Sequence, residues 1–228
     1  MTQKKILVTG ANRGIGFAAV RSLMAHELFI IATARSEKGL KSLEIELSDY
    51  PDKLIIQLDV SDQKSIDQCS QQLKESVESL DCLVNNAGVF FHNSLLNTPA
   101  SELLDVFKTN TLGPTLLTKA LIPLLLKSDD GKIINVSSQM GSIENGGAGY
   151  ASYRITKTAL NSLTRNLHYD YSDKGLRSYS VCPGWVHTDM GGPNAPRTPE
   201  QGAASILYPF YHDADSGTFL QDGKELAW

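Results

Sequence analysis

The sequence predicts a doubly wound α/β fold, in which about seven parallel strands form one sheet with helices on both faces. Short β-branched runs alternate with amphipathic helical segments along the chain, which is the pattern of repeated βαβ units. The strand segments are apolar throughout, as expected for a sheet that helices cover on both sides. No Pro/Ser-rich linker, charge run or internal repeat divides the 228 residues, so residues 1–228 are predicted to form a single domain.

Each predicted strand is a short apolar run, and each predicted helix is the amphipathic segment that follows it. The first strand is the run Ile6-Leu7-Val8, and a glycine-rich turn leads from it into the first helix. Right-handed crossovers through these helices keep consecutive strands parallel. The predicted strands lie at residues 6–8, 28–33, 54–58, 82–84, 132–136 and 178–182, and the predicted helices lie at residues 14–25, 38–47, 63–77, in a long segment before 127, from 153 onwards and from about 198.

Composition narrows the class of partner. With 41% hydrophobic and 20% charged residues, the chain has the composition of an ordinary globular protein. Its formal net charge of -4 argues against a nucleic acid or an anionic membrane surface as the partner, because both need clustered Lys and Arg. The expected ligand is therefore a small molecule.

The cysteines and the apolar segments indicate a compartment. Three cysteines lie without CxxC spacing, and Cys82 and Cys182 fall in apolar runs that predict buried strands. The segment that begins at Met1 lacks the apolar stretch and cleavage site of an export signal. The longest apolar stretch, near residues 120–126, contains Pro123 and is far shorter than the roughly 20 residues of a membrane span. We expect a cytoplasmic protein with no membrane partner.

Three glycines join the first strand to the first helix. Gly10, Gly14 and Gly16 give this turn the pattern TGxxxGxG. At such a junction the backbone amides and the helix N-terminus converge on an anion, and glycines let a phosphate approach the backbone. The loop therefore predicts a site for the pyrophosphate of a dinucleotide. A tight turn with a purely structural role is the alternative.

A tyrosine and a lysine share one face of the helix near residue 153. Tyr153 and Lys157 are four residues apart, so their side chains are neighbours on a helix. A tyrosine has a reference pKa of about 10, and an adjacent ammonium group favours the phenolate. The pair can therefore act as an acid/base unit. The alternative is an exposed helix pair that has this spacing by chance.

Several motifs occur together in the order of a known family. Asn85-Asn86-Ala87-Gly88 ends a strand, Asn110 falls in the long helix, and Asn135-Val136-Ser137-Ser138 ends a later strand. Together with the glycine loop and the Tyr153–Lys157 pair, they resemble the short-chain dehydrogenase/reductase family from Ile6 to Trp228. Thr33-Ala34-Arg35, the loop 189–193 and the terminal Trp228 are similar to its carbonyl-reductase, sniffer-like or C-factor-like branch.

The resemblance implies a Rossmann-type domain and four catalytic residues. Ser138 would hydrogen-bond the substrate carbonyl, and Tyr153 would transfer the proton. Lys157 would bind the nicotinamide ribose and lower the tyrosine pKa, and Asn110 would hold a relay water. Ser138 fits the family's Ser-x-x-Gly run better than Ser137, which should point to the other face of the sheet.

Tyr150 is the alternative proton donor. It lies seven residues before Lys157, which is the wider spacing of divergent enoyl reductases. Those enzymes also alter the glycine loop, whereas this chain does not. Tyr153 therefore remains the preferred residue.

The cofactor is predicted to be NADP(H) rather than NAD(H). No acidic residue ends the second strand, where an NAD site usually has one, and Arg35 follows instead. Arg35 and Arg13 could flank a 2′-phosphate with bidentate bonds, although both could also be solvated surface residues. Asp59, followed by Val60, resembles the family's adenine contact and could equally be a helix cap.

The complete set of predicted cofactor-binding residues includes the loop at residues 183–188, which resembles the segment that bonds the nicotinamide carboxamide. The set is Gly10, Asn12, Arg13, Gly14, Ile15, Gly16, Arg35, Asp59, Val60, Asn86, Ala87, Gly88, Tyr153, Lys157, Pro183, Gly184, Val186 and Thr188. The five histidines have no metal-ligand spacing with Cys, Asp or Glu, so no metal is predicted.

The predicted function is hydride transfer between NADP(H) and a carbonyl or alcohol substrate. Phe90, Phe91, Trp185 and Met190 are candidate apolar walls for bulky aldehydes and ketones. A catalytically silent NADP(H) sensor is the alternative, although all four catalytic positions are intact. An extended-type epimerase is disfavoured because only about 40 residues follow Thr188. The family also implies a homodimer or homotetramer.

Overall fold

Strands and helices alternate along residues 3–228, which are the residues that the computed structural model describes. The strands are β1 (Lys5–Val8), β2 (Phe29–Ala34), β3 (Lys53–Gln57), β4 (Cys82–Asn85), β5 (Lys132–Val136), β6 (Arg177–Val181), β7 (Thr218–Gln221) and β8 (Lys224–Glu225). The helices are α1 (Gly14–Met24), α2 (Glu37–Glu46), α3 (Gln63–Ser76), α4 (Ala100–Phe107), α5 (Gly113–Leu125), α6 (Ala151–Tyr171) and α7 (Pro199–Tyr211). Met1 and Thr2, the start of the segment expected to carry no export signal, lie outside the described residues.

The strands form one sheet in the order β3-β2-β1-β4-β5-β6-β7-β8. All neighbouring pairs from β3 to β7 are parallel, and β8 returns antiparallel to β7. The predicted doubly wound sheet of about seven parallel strands is therefore confirmed. The chain runs outward from β1 in one direction and then from β4 in the other. A crevice forms at such a reversal, outside the carboxyl ends of the strands.

The strands contribute to a separate core on each face of the sheet. In β1, Ile6 and Val8 belong to the core that α1 and α7 cover, whereas Leu7 belongs to the core that α3 and α5 cover. All three side chains are fully buried. This alternation follows from the period of two in a strand. Helices cover both faces of the sheet, and this is why the strand segments are apolar throughout and have no polar face.

The long helix predicted before residue 127 is two α-helices joined by a π turn. A wider turn at Lys108–Leu112 connects α4 to α5. Gly113 begins α5 directly under Val60, and a Cβ at this glycine would lie 2.2 Å from the Val60 carbonyl oxygen. The close approach of these two segments is therefore possible only at a glycine. Single π turns of this kind occur mostly at functional sites.

A chain of buried polar side chains crosses the middle of the sheet. The Asn85 amide donates to Asn135 Oδ1 at 2.8 Å, and the Asn135 amide donates to Thr164 Oγ1 of α6 at 2.9 Å. The Thr164 and Ser180 hydroxyls are 2.8 Å apart. All four residues are 3% exposed or less. Because buried polar groups are costly without partners, this chain sets the register of β4, β5 and β6 beneath α6.

Asn135→Ala should destabilise the fold. It removes one buried hydrogen-bond partner from Asn85 and one from Thr164, and we expect the free energy of unfolding to fall by about 2–4 kcal/mol, since each buried hydrogen bond lost in this way costs about 1–3 kcal/mol. Urea unfolding followed by circular dichroism measures the change. Asn194→Ala, at an exposed loop position, is the control and should change it by less than about 0.5 kcal/mol. Equal stability of the two variants would contradict this role of Asn135.

Candidate active site

The turn between β1 and α1 has a shape that its glycines impose. Gly10 and Gly14 have φ angles of +62° and +54°, which L side chains rarely adopt. A Cβ at Gly16 would lie 2.4 Å from the Gly10 carbonyl oxygen. The three glycines therefore allow the chain to fold back on itself at the start of α1.

The N-terminus of α1 is open to an anion. Arg13 is the N-cap residue and makes no side-chain capping bond, and the first turn contains no acidic residue. The free backbone amides at the start of α1 and the dipole of this helix together attract negative charge. Ile15 packs against the core beneath the turn, and Asn12 lies beside Gly39 of α2. This turn has the geometry predicted for a pyrophosphate site.

Thr9 joins the turn after β1 to the turn after β4. Its hydroxyl accepts hydrogen bonds from the Asn86 and Ala87 amides, both at 2.9 Å, and donates to the Val84 carbonyl at 3.3 Å. The Asn86 side-chain amide donates back to the Thr9 carbonyl at 2.8 Å. Sequence analysis did not single out Thr9, although a hydroxyl at the end of an apolar strand was the available signal. Gly10 packs directly on Ala87 as a result.

The two arginines predicted to flank a phosphate each contact a different aspartate. Arg13 Nη1 is 2.7 Å from Asp189 Oδ2, and both side chains are at least 70% exposed. Arg35 Nε lies 4.0 Å from Asp59 Oδ2, and its side chain is 71% exposed. Arg13 is therefore directed to the loop after β6, and the joint contact of the two arginines with a phosphate stays a prediction. Arg35 directly follows the last residue of β2.

Asp59 does not cap α3. Its Oδ1 atom accepts from the Ser61 amide at 2.9 Å and from the Ser61 hydroxyl at 2.6 Å. The N-cap of α3 is Asp62, whose side chain accepts from the Lys64 amide. Of the two interpretations of Asp59, the helix cap is therefore wrong. Val60 next to it is buried.

Ser138, Tyr153 and Lys157 meet at the carboxyl end of β5. Tyr153 lies in the first turn of α6, is 8% exposed and has the Ser138 side chain close enough to lower its pKa. Lys157 Nζ donates to the Val136 carbonyl at 2.6 Å and lies 5.6 Å from the centroid of the Tyr153 ring. The spacing of four residues therefore brings the tyrosine and lysine to one place.

Ser137 faces away from this group. Its hydroxyl donates to Asn161 Oδ1 at 2.6 Å and is buried against α6. Ser138 Oγ accepts from the Met140 amide at 3.1 Å, so the Ser138 hydroxyl hydrogen remains available as a donor. Of the two neighbouring serines, Ser138 is the one beside Tyr153.

Burial controls the protonation of the tyrosine and the lysine. It raises the pKa of Tyr153 well above its usual range, and the nearby Ser138 side chain only partly opposes this effect. Burial lowers the pKa of Lys157 to about 8, although the nearby Cys182 thiol acts in the opposite direction. The lowering of the tyrosine pKa expected from Lys157 is not found in the protein alone, where desolvation is the larger effect. Tyr153 is a neutral phenol, which is a proton donor.

Asn110 lies in the π turn and connects two neighbouring segments. Its side chain accepts from the Val89 amide at 2.8 Å and donates to the Val89 carbonyl at 2.9 Å. It also lies 3.2 Å from the Thr156 hydroxyl of α6. A Cβ at Gly88 would lie 3.3 Å from Asn110 Oδ1 and 3.8 Å from Lys157 Nζ. The glycine therefore leaves room between the loop after β4 and Lys157.

The loop after β6 closes the other side of the crevice. Pro183 and Val186 are buried, and Gly184 has a φ of +78°. Thr188 lies against Gly14, since a Cβ at that glycine would be 3.2 Å from Thr188 Cγ2. The loops after β1, β4 and β6 thus approach one another at the carboxyl edge of the sheet, through Gly10 on Ala87 and Gly14 on Thr188.

Aromatic side chains surround Tyr153. The Phe90 ring meets Tyr153 edge to face, with centroids 4.7 Å apart, and stacks on Tyr150 at 5.3 Å. His92 contacts both Phe90 and Tyr150. Tyr150 has a left-handed backbone, with a φ of +55°, immediately before α6. Sequence analysis proposed Phe90 as an apolar wall but missed His92.

The remaining predicted walls are open to solvent. Phe91 and Met190 are 43% exposed and Trp185 is 58% exposed. Among residues 3–228, no group of His, Cys, Asp and Glu side chains has the arrangement of a metal site. Within the same described range, no helix is long and apolar enough to cross a membrane.

The chain is similar to proteins of one enzyme family. The model of the short chain dehydrogenase family matches residues 4–198. The 3-oxoacyl-[acyl-carrier-protein] reductase FabG of Haemophilus influenzae is 35% identical over 190 residues, which cover 83% of this chain and 77% of that protein.

Two solved structures cover the whole of this chain and are themselves covered completely. An NADPH-bound carbonyl reductase from chicken fatty liver has a TM-score of 0.92 at 34% identity. The carbonyl reductase Sniffer of D. melanogaster has a TM-score of 0.93 at 31% identity.

Thr9→Val tests whether the hydroxyl holds the two turns together. Valine keeps the shape but leaves the Asn86 and Ala87 amides without this acceptor, so the free energy of unfolding should fall by about 2–4 kcal/mol. Thr9→Ser keeps the hydroxyl and should lose about 1 kcal/mol, the contribution of one buried methyl group. Urea unfolding measures the free energy of unfolding of both variants. A valine variant as stable as the serine variant would contradict the role of the hydroxyl.

Proposed function

This chain belongs to the short-chain dehydrogenase family, and we propose that it reduces aldehydes or ketones by transferring a hydride from NADPH to the carbonyl carbon. The observation that carries the proposal is the meeting of the partly buried Ser138 with the buried Tyr153 and Lys157 at the carboxyl end of β5. Similarity to two carbonyl reductases of known structure supports the same reaction class.

The crevice fits a dinucleotide. The open N-terminus of α1 and the glycine turn would hold the pyrophosphate, since both present backbone amides and no acidic side chain. Ala87, Gly88 and Thr188 would line the path toward the catalytic group. When bound, NADPH would supply the hydride that the protein itself has no group to provide.

The protein supplies hydrogen-bond donors where negative charge develops. As hydride reaches the carbonyl carbon, the carbonyl oxygen becomes an alkoxide. The Ser138 hydroxyl donates a hydrogen bond to that oxygen, and Tyr153 donates its phenolic proton to it, which completes the alcohol. Tyr153 is buried and Ser138 is partly buried, and hydrogen bonds to a developing charge are stronger where water is excluded.

Lys157 and Asn110 support the proton donor. The Lys157 ammonium lies under the Tyr153 ring and would bind the cofactor ribose and stabilise the phenolate that remains after proton transfer. Asn110 holds the loop after β4 against α6, and in the proposed mechanism it also positions the relay water that returns a proton.

The walls of the site favour bulky carbonyl substrates. Phe90, Phe91, Trp185 and Met190 present apolar surface next to Tyr153 or at the crevice mouth. Leu104, Phe107 and Leu112, on α4 and the π turn, are at least 40% exposed, and such a patch supports the expected homodimer or homotetramer.

Tyr153→Phe should abolish turnover. The variant keeps the ring contacts but has no proton to donate, so we expect kcat to fall at least about 100-fold, the usual contribution of acid/base catalysis. We would measure kcat from the loss of NADPH absorbance at 340 nm, with aromatic aldehydes, diketones, quinones and keto esters as substrates.

Tyr150→Phe is the matched control and should retain activity. Loss of turnover in that variant alone would transfer the role to Tyr150. Tight NADPH binding without turnover of any substrate would instead favour a catalytically silent sensor.

Arg35→Ala should reduce the preference for NADPH. A guanidinium bound to the 2′-phosphate contributes about 1.5–3 kcal/mol, so kcat/KM for NADPH should fall about 10-fold to 100-fold and that for NADH should not change. Arg21→Ala, at an exposed position of α1, is the control. An unchanged ratio of the two cofactors would exclude Arg35 from the phosphate site.

Reduction should lose efficiency as the pH rises through about 8. The raised pKa of Tyr153 keeps the donor protonated, whereas the pKa of Lys157 is lowered to about 8, so Lys157 is charged below this pH and neutral above it. At subsaturating NADPH, kcat/KM reports the free enzyme. We expect a plateau below pH 8 and a decline above it. A profile that is constant to pH 10 would contradict the role of the Lys157 charge.

A further inference from the structure

A buried carboxylate bonds to Ser152, the residue that precedes the catalytic tyrosine, and has no role in the proposed hydride and proton transfer. Glu102 of α4 is 8% exposed. Its Oε1 atom accepts from the Ser152 hydroxyl at 2.7 Å, and its Oε2 atom accepts from the Asn93 amide at 2.5 Å. No Lys, Arg or His of residues 3–228 forms an ion pair with it. A buried charge of this kind needs its hydrogen-bonding partners.

The two partners belong to the segments that form the wall around Tyr153. Ser152 is fully buried in the first turn of α6 and immediately precedes Tyr153. Asn93 lies in the loop after β4, and its carbonyl accepts from the Ala151 amide at 3.2 Å. The Glu102 carboxylate therefore links α4, this loop and the start of α6. It also lies at the positive end of α6, where an anion is stabilised.

The linked loop carries Phe90 onto the catalytic ring. Phe90 contacts Tyr153 edge to face and stacks on Tyr150. Tyr150 has a left-handed backbone, which a bulky side chain adopts only when its surroundings hold it there. The position of the Tyr153 phenol thus depends on how the loop docks on the first turn of α6.

We propose that Glu102 is a positioning residue for Tyr153, which acts through its hydrogen bonds to Ser152 and Asn93. The inference rests on the proposed reductase function and adds a residue to it. Glu102 accepts hydrogen bonds from Ser152 and Asn93 and has no part in the transfer of the proton. It holds the Phe90 loop and the start of α6 together, so that the phenol meets the carbonyl oxygen in the reactive geometry.

Glu102→Ala and Glu102→Gln form the decisive pair. Alanine removes both acceptors, and we expect kcat to fall about 10-fold to 100-fold, since a displacement of about 1 Å at a reacting group can cost 100-fold. Glutamine can bond both partners if the Asn93 amide rotates, so its kcat should stay within about threefold of the original. The Kd of NADPH should be unchanged in both, because the glycine turn lies elsewhere. Asp105→Ala, an exposed acid of the same helix, is the control.

A second measurement does not need turnover. With 3-fluorotyrosine in place of tyrosine, fluorine NMR reports the surroundings of each ring, and Tyr150→Phe and Tyr153→Phe assign the two signals. Both signals should move in Glu102→Ala and stay in Glu102→Gln. Ser152→Ala, which removes one hydrogen bond, replaces Glu102→Ala if that variant does not fold and should move the same signals.

Three results would overturn the proposal: unchanged kcat and signals in Glu102→Ala, an equal loss in the glutamine variant, or a parallel loss of NADPH affinity. Absence of turnover in the unmodified protein would refute the proposed function, while the fluorine signals would still test the role of Glu102.

Discussion

The Thr9 hydroxyl binds together the two turns on which the site depends, because it accepts from the Asn86 and Ala87 amides at the carboxyl ends of β1 and β4. These strands are neighbours at the reversal of strand order, so their turns must approach each other closely. Glycine at position 16 follows from this approach, since a side chain there would meet the Gly10 carbonyl and the Asn86 amide. The crevice is therefore a consequence of the sheet topology and of the Thr9 hydroxyl, which joins the turns after β1 and β4 at its base.

The same edge of the sheet brings together the three residues of the proposed catalytic group. Ser138 follows β5, whereas Tyr153 and Lys157 come from α6, which packs on the buried polar chain through Asn135 and Thr164. This packing buries the tyrosine and lysine and shifts their pKa values in opposite directions, toward the neutral phenol and the neutral amine. A buried neutral phenol suits donation of a proton to an alkoxide. Buried polar contacts beneath α6 thus help to fix the position of Tyr153, the proposed proton donor, and burial keeps it protonated.

The sequence predicted the features that have a short-range signal. The period of two in the strands, the glycine turn and the four-residue spacing of Tyr153 and Lys157 are local patterns, and the structure has the sheet and the meeting of side chains that they predict. Contacts between distant segments had no such signal. The pairing of Arg13 with Asp189 depends on how the loop after β6 crosses the crevice, and no local pattern in the sequence indicates this contact. The bonds of Glu102 to Asn93 and Ser152 likewise join residues up to 50 positions apart.

Transfer of a hydride from the cofactor to the substrate is the central claim, and isotope transfer tests it most directly. The protein would be incubated with NADPH that carries deuterium at both C4 positions and with an aromatic aldehyde, and the alcohol would be examined by mass spectrometry and proton NMR. We expect one deuterium on the carbinol carbon. An alcohol without deuterium, or NADPH that binds and remains unchanged, would contradict the assignment of this site to hydride transfer.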